Sequence, residues 1–197
     1  EVPMVGSLAD MLDGYKGRAA IAQGEYFEPS FSNIDSSTQK RQLSNGVELA
    51  LLPKKTRGES VVISLAMGLG NENSLQGLRA TGDAVGAMLM RGTEKYSREQ
   101  LKIEFDKLKA QARIGGSAVN AYASIVTTRE NLLAVLKLTR EILKNPAFDK
   151  QEFEQYQSTL EVDIEQNLQD PQRLAFREYA RIQNTFGKEH PLYQPTL

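Results

Sequence analysis

The chemistry open to this chain is bounded first by what it lacks. It has no cysteine and one histidine, His190. Without cysteine there is no thiolate nucleophile, no thiolate metal ligand and no disulfide. His190 sits beside Pro191 near the end of the sequence, where it reads as a plain surface residue, so neither a His–His nor a Ser–His pair is expected. Carboxylates remain, as oxygen ligands for a hard cation. Gly68-Leu69-Gly70 is a poor phosphate loop, because it lacks a third glycine at the right offset, a lysine and a following helix start. The charge run from Lys102 to Lys109 reads as a solvated helix face with i,i+4 pairing.

The elements that must position these residues follow from periodicity and punctuation. A chain of 197 residues, 40% hydrophobic and 25% charged, is long enough for one domain with a core plus an arm. No apolar run is long enough to span a membrane. The net charge of −1, with no basic stripe, gives no footprint for nucleic acid. Residues 1–37 are broken by Pro3, Gly6, Gly14, Gly17, Gly24 and Pro29 and read as an arm, with at most one turn capped by Ser7 and running through Leu12. A domain over 38–197 follows. It opens with a hairpin, strands 39–43 and 47–52 around Asn45-Gly46, and a β-branched strand from Ser60 to Met67.

A helix is expected over 77–91, with Leu78, Val85 and Leu89 on its apolar face. Ser97 to Gln100 is a capping box opening a helix with Leu101, Phe105 and Leu108 on one stripe. Strands at 111–117 and 120–127 precede a helix capped by Thr128, whose apolar set reads as Leu132, Leu133, Leu136 and Leu143. Asp149 to Glu152 is a second capping box, followed by Phe153, Tyr156, Leu160 and Ile164 at helical spacing. Asp170-Pro171 starts a last helix, from Leu174 to Ile182. Paired strands and grouped helices predict an α+β fold, an antiparallel-rich sheet with helices packed on one face.

Seven local signals occur in order over about residues 38–195: Asn45-Gly46, the Gly68–Glu72 loop, Gly77-Leu78, Met88 to Thr93, Asn120-Ala121-Tyr122-Ala123-Ser124, Asn145-Pro146 and Asp170-Pro171. Together they resemble a domain of the insulinase/pitrilysin (M16) zinc metallopeptidases, whose LuxS/MPP-like fold is α+β. The arm from Tyr15 to Ser30 is similar to the connector between the two halves of long bacterial members. In active M16 domains a motif H-x-x-E-H lies just before the Gly-Thr pair. Counting back from Gly92-Thr93 puts its ligand positions on Asp83 and Ala87 and its general-base position on Gly86. The later glutamate ligand falls on Asp163, and an accompanying acidic position on Tyr156. The resemblance therefore implies no catalytic residue and no metal in this chain, with zinc expected in the other half of a parent protein.

Asp83 with Asp163 reads either as a remnant carboxylate pair or as two solvated aspartates; two carboxylates lack the ligand count of a tight site. Residues Asn120, Ala121, Tyr122, Ala123 and Ser124 read either as an edge strand lending main-chain hydrogen bonds to an extended peptide or as an interior strand. The expected function is that of a non-catalytic domain helping to enclose and bind peptide. Its expected partners are other M16 domains of the same parent and the peptide itself. The alternatives are a structural scaffold without peptidase activity and an independent carboxylate enzyme. The resemblance alone points to a bacterial periplasm. It also predicts a piece of a larger protein, cut before the domain's last strand and helix. Tyr15, Tyr26 and Phe27 of the arm read either as anchors to a partner domain or, in preference, as scattered exposed aromatics.

Overall fold

A computed structural model describes residues 21–193. The turn expected at Ser7 to Leu12, and Tyr15, lie outside the described residues. The chain divides into two compact units between Glu59 and Ser60, rather than between arm and hairpin at residue 37.

In the first unit, residues 21–30 have no regular structure but are tied to the segment before Glu59. Gly58 N donates to Ala22 O at 2.9 Å and Glu25 N to Lys55 O at 2.9 Å, while Glu25 Oε1 accepts from Lys55 N at 2.8 Å. Lys54 Nζ lies 4.9 Å from the centre of the Phe27 ring, a cation–π contact. Tyr26 points out, 91% exposed. Helix α1, Phe31–Ser37, was not expected; Ser30 caps it by accepting from Asn33 N, and it buries no side chain that periodicity could have revealed. The expected hairpin follows, β1 (Gln39–Gln42) pairing antiparallel with β2 (Glu48–Leu51) around Gly46, whose φ of 85° suits glycine.

The second unit holds a three-stranded antiparallel sheet of order β3 (Ser60–Gly68), β5 (Asn120–Thr128), β4 (Gln111–Gly116). Alternation decides its faces. Ala121, Ala123, Ile125 and Thr127 of β5 are buried; Tyr122, Ser124 and Val126 are exposed. The register aligns Ile63, Ile125 and Ala112 in one row and Leu65, Ala123 and Ile114 in the next. These rows meet Leu89, Leu101, Phe105, Val135, Leu138 and Ile142 in one core. The expected α+β arrangement is thus present: antiparallel strands, with helices covering one face.

The helices of this unit are α2 (Arg79–Met88), continued by a 3-10 turn Leu89–Arg91, α3 (Arg98–Lys107), α4 (Leu132–Lys144), α5 (Lys150–Leu168) and α6 (Pro171–Gln183). Among the described residues none is long and apolar enough to cross a membrane. Ser97 and Gln100 form the full capping box of α3. Asp149 caps α5 alone, because Glu152 turns away to Arg91 at 3.0 Å. Two expectations about faces are corrected. Leu78 lies before α2 and is exposed, while Met88 and Leu89 are buried. In α4 the buried positions are Val135, Leu138 and Ile142, with Leu133 and Leu136 outside. The helix starts at Leu132 after an Asn131 N-cap, and leucines on both of its sides hid which stripe packs.

Gly92–Thr93 and Asn145–Pro146, far apart in sequence, are clamped together. Thr93 bridges Pro146, Glu94 N donates to Asn145 O at 3.0 Å and Ala147 N to Gly92 O at 3.1 Å. Glu141 anchors the clamp, its Oε2 accepting from Asn145 Nδ2 at 2.8 Å and Lys95 Nζ at 3.1 Å. The Asn145 amide, and behind it Lys95, hold the Glu141 carboxyl below the usual glutamate range in spite of its burial.

Ile142→Ala is expected to cost about 2–5 kcal/mol in chemical denaturation and Leu133→Ala about 0.5 kcal/mol or less; equal losses would put the core on the wrong side of α4. A lowered folded pKa means that the Glu141 contribution is present above the ordinary glutamate value and is lost as pH falls through the lower folded value. Glu141→Gln should therefore flatten the acid limb of the stability profile, read as urea midpoint against pH.

Candidate functional site

Helix α2 carries three of the four positions at which the resemblance would seat a metal site, and it lies against the turn between β4 and β5. The approach is close enough to require glycine. A Cβ on Gly86 would stand 2.5 Å from Gly116 C and O, and one on Gly82 would stand 2.6 Å from Ala118 Cα. Asp83, between them, accepts from Ala118 N at 2.9 Å through Oδ1 and pairs with Arg79 Nε at 3.6 Å through Oδ2. Ala87 is exposed and has no donor atom. Asp83 therefore fastens the strand turn to the helix.

Asp163 lies elsewhere. It is exposed on α5, beside a polar hollow shared with Gln166, Asn167, Asp170 and Arg173. Tyr156, at the accompanying acidic position, stacks under Arg91 at 5.7 Å. Asp83 and Asp163 thus have separate partners, and among the described residues no three His, Asp or Glu side chains gather as metal ligands. These residues do not fit a zinc site. The general-base position has no side chain and no space for one, one ligand position is alanine, and the aspartate at the other is committed to a backbone N–H.

The edge-strand reading of Asn120 to Ser124 is corrected. These residues belong to β5, the central strand, whose backbone is paired with β3 on one side and β4 on the other. Asn120 closes the strand turn, its O accepting from Ser117 N at 2.8 Å and its Oδ1 from Ser117 Oγ at 3.0 Å. The Tyr122 ring lies over Gly115, where a Cβ would be 3.2 Å from Tyr122 Oη. A strand bonded on both sides cannot accept a third.

The edge next to it is β4. Between β4 and α3 runs a groove of about 860 Å³. Its floor is Met90, Leu101, Phe105, Ala110 and Ala112, and its rim carries Arg98, Glu99, Lys102 and Asp106 on the α3 side and Arg113 on the β4 side. Arg98 is 3.7 Å from Glu152, and Glu99 accepts from Ser97 Oγ at 2.9 Å. The Glu99 carboxyl lies below its usual range through a backbone hydrogen bond and then Ser97. Lys102, Asp106 and Arg113 are left to meet a ligand. An apolar floor with a mixed polar rim beside a strand edge can accept an extended peptide, whose backbone pairs with β4 while alternate side chains enter the groove. Sequence reasoning passed over this site because the run from Lys102 to Lys109 read as solvated and because strand order is not local. The pattern of Phe105 and Leu101 on one side of α3, with Lys102 and Asp106 beside them, was the available signal.

His190 is also corrected. Its ring stacks on Phe186 at 3.9 Å, Nε2 lies 3.0 Å from Glu72 Oε1, and Nδ1 accepts from Leu192 N at 3.1 Å. It fastens the last described turn to the loop after β3.

No family model and no curated protein matches this chain. Its fold does match solved structures. The inactive domain of a peptidase M16 from Pseudomonas fluorescens superposes with a TM-score of 0.63 at 20% identity, over 79% of this chain and 37% of that one. The ferredoxin protease FusC, in complex with Arabidopsis ferredoxin, gives a TM-score of 0.57 at 16% identity, over 90% of this chain and 19% of that one. The fold is thus that of an M16-type peptidase domain. The chain spans little more than a third of the first of these solved chains and about a fifth of the second.

Gly86→Ala is expected to destabilise the chain by about 1–3 kcal/mol through forced separation of helix and strand turn, whereas Ala87→Ser should cost about 0.5 kcal/mol. Restoring the motif with Asp83→His, Gly86→Glu and Ala87→His together should lower the urea midpoint without yielding one equivalent of bound zinc by elemental analysis. A stable chain holding stoichiometric zinc would refute this account of the helix.

Proposed function

We propose that this chain is a non-catalytic domain of a zinc-dependent M16 peptidase, which helps to enclose and bind peptide while another domain of the parent holds the zinc and hydrolyses the bond. The observation that carries the reading is the groove along the open edge of β4, built on an M16-type fold whose motif helix has exchanged its ligands for backbone contact. The ligand is an extended peptide. Its backbone would add to β4 at Gln111 to Gly116, and its side chains would alternate between the Leu101–Phe105 floor and the open sheet face bearing Arg113 and Ser124. Its partners would be further M16 domains of the same parent.

A fluorescent ten-residue extended peptide should bind with a dissociation constant on the order of 10–100 μM, since an edge of this length offers only a few net-favourable hydrogen bonds. Bound peptide should slow amide exchange in residues 111–116 and leave the already paired β5 unchanged, and Phe105→Ala with Lys102→Glu should weaken binding. The purified chain should not cleave the peptide with zinc added. Binding that protects no β4 amide would remove the groove from the proposal; cleavage would remove the non-catalytic reading.

A further inference from the structure

The three strands of the second unit's sheet, β3, β4 and β5, carry one charged residue among them, Arg113. It stands on β4, the strand beside the groove, and alternation turns it to the face away from the helices, because its neighbour Ile114 is buried in the core. Its row across the sheet runs Arg113, Ser124, Ser64, so no carboxylate in the row answers it. A strand added at this edge sets one side chain directly opposite Arg113, with Cβ atoms about 5 Å apart. A lone edge arginine therefore turns away a strand that offers a cation there and accepts one that offers an acid.

Helix α3 supplies a second cation. Its turn into β4 is tight: Lys109 N donates to Asp106 O at 3.0 Å and Ala110 N to Phe105 O at 2.9 Å, which puts Asp106 at the Gln111 end of the groove. Lys102 lies one turn back along α3, about 6 Å away, while Arg113 lies two residues along β4 from Gln111, about 7 Å. The two cations thus flank the β4 edge at one level, Lys102 on the helix side and Arg113 on the open face. Of the other rim charges, Arg98 is drawn to Glu152 at 3.7 Å and Glu99 is held by Ser97 at 2.9 Å. Asp106 follows Lys102 by four residues, but lysine before acid is the weaker order for such a pair, so Lys102 stays available.

We propose that the β4 groove takes acidic extended peptides, with two adjacent carboxylate side chains at the centre, one opposite Arg113 and the next turned to Lys102. Neighbouring residues of an extended strand point to opposite faces, so a pair adjacent in sequence is what meets two cations on opposite sides of an edge. Asp106 sets the order along the groove, since at the Gln111 end it repels a further acid and favours a neutral or basic residue. This inference rests on the peptide-groove reading and adds a substrate class to it. The whole chain carries a net charge of −1, so a preference for acidic peptide has to come from this local pair and not from overall attraction.

The test uses three ten-residue extended peptides, alike except at two adjacent central positions that are both glutamate, both glutamine or both lysine. Each is titrated against the full chain by fluorescence anisotropy, and amide exchange is read on the complexes. The glutamate peptide should bind about 5-fold more tightly than the glutamine peptide and the lysine peptide more weakly than either, with the spread shrinking in high salt. Arg113→Glu with Lys102→Glu should invert the order and make the lysine peptide the tightest, which loss of packing alone would not do. Both positions are exposed, so the urea midpoint should move no more than a surface substitution moves it. If the glutamate and glutamine peptides bind alike while residues 111–116 gain protection, the acidic preference is overturned and the groove stands. If the doubly substituted chain still prefers glutamate, Arg113 and Lys102 are not the selector and the proposal is likewise overturned. If the glutamate peptide protects no amide of 111–116, the groove reading and this inference fall together.

Discussion

The second unit depends on one close approach, that of α2 to the turn between β4 and β5. Gly82 and Gly86 lie one helical turn apart and let the backbone of residues 116–118 rest on the helix without side chains between them. Asp83 closes the contact by accepting from Ala118 N. Because the helix sits this near the sheet, its continuation brings Met88 and Leu89 into the core and delivers Arg91 to Glu152 on α5. A side chain at Gly86 would lift the helix and unseat all three. The same constraint leaves no room at Gly86 for the carboxylate that stands at this position of an M16 motif.

The groove depends on the same arrangement at second hand. β5 takes the centre of the sheet and spends its backbone on both neighbours, which among the described residues leaves β4 with an open edge. α3 stands beside that edge because Ser97 and Gln100 start the helix at the end of the Gly92–Ser97 turn, and that turn is clamped to Asn145–Pro146. Glu141 holds the clamp from α4 through Asn145 and Lys95. Its second oxygen is buried without a partner, so the carboxylate gives up some hydration to serve this joint. The position of the groove wall is thereby tied to the core helix Leu132–Lys144.

Local chemistry was legible in the sequence, and global arrangement much less so. Caps and turns follow from neighbouring residues, so Asn45-Gly46, Ser97, Asp149 and Asp170 were readable and sit where their residue types predict. That Asp83, Gly86 and Ala87 offer neither an imidazole nor a glutamate was readable because it is a matter of donor atoms. Which leucines of α4 pack was not, since Leu133 and Leu136 are as apolar as Leu138, and only the sheet decides between the stripes. That Asn120 to Ser124 is interior was not readable either, because strand order joins β3 to β5 across an intervening helix pair. His190 escaped notice because one of its partners, Glu72, comes from a loop more than a hundred residues earlier.

On the proposed reading, magnitudes bound how tightly the β4 groove would hold a peptide. Each net hydrogen bond made by strand addition contributes about 0.5–1.5 kcal/mol, and the β4 edge is six residues long, with roughly every second residue facing the ligand. Three facing residues, each exchanging an N–H and a C=O bond, with one side chain on Phe105 and less the entropy of ordering the peptide, give a weak complex, one that releases its peptide quickly. Weak binding of this kind does little for a free-standing protein. Within one polypeptide, a linked domain at millimolar effective concentration converts it into useful retention. On the proposed reading, the modest depth of the groove is therefore an argument for a tethered catalytic partner: an edge that held peptide tightly by itself would compete with the active centre for the substrate, whereas a weak one can pass it on.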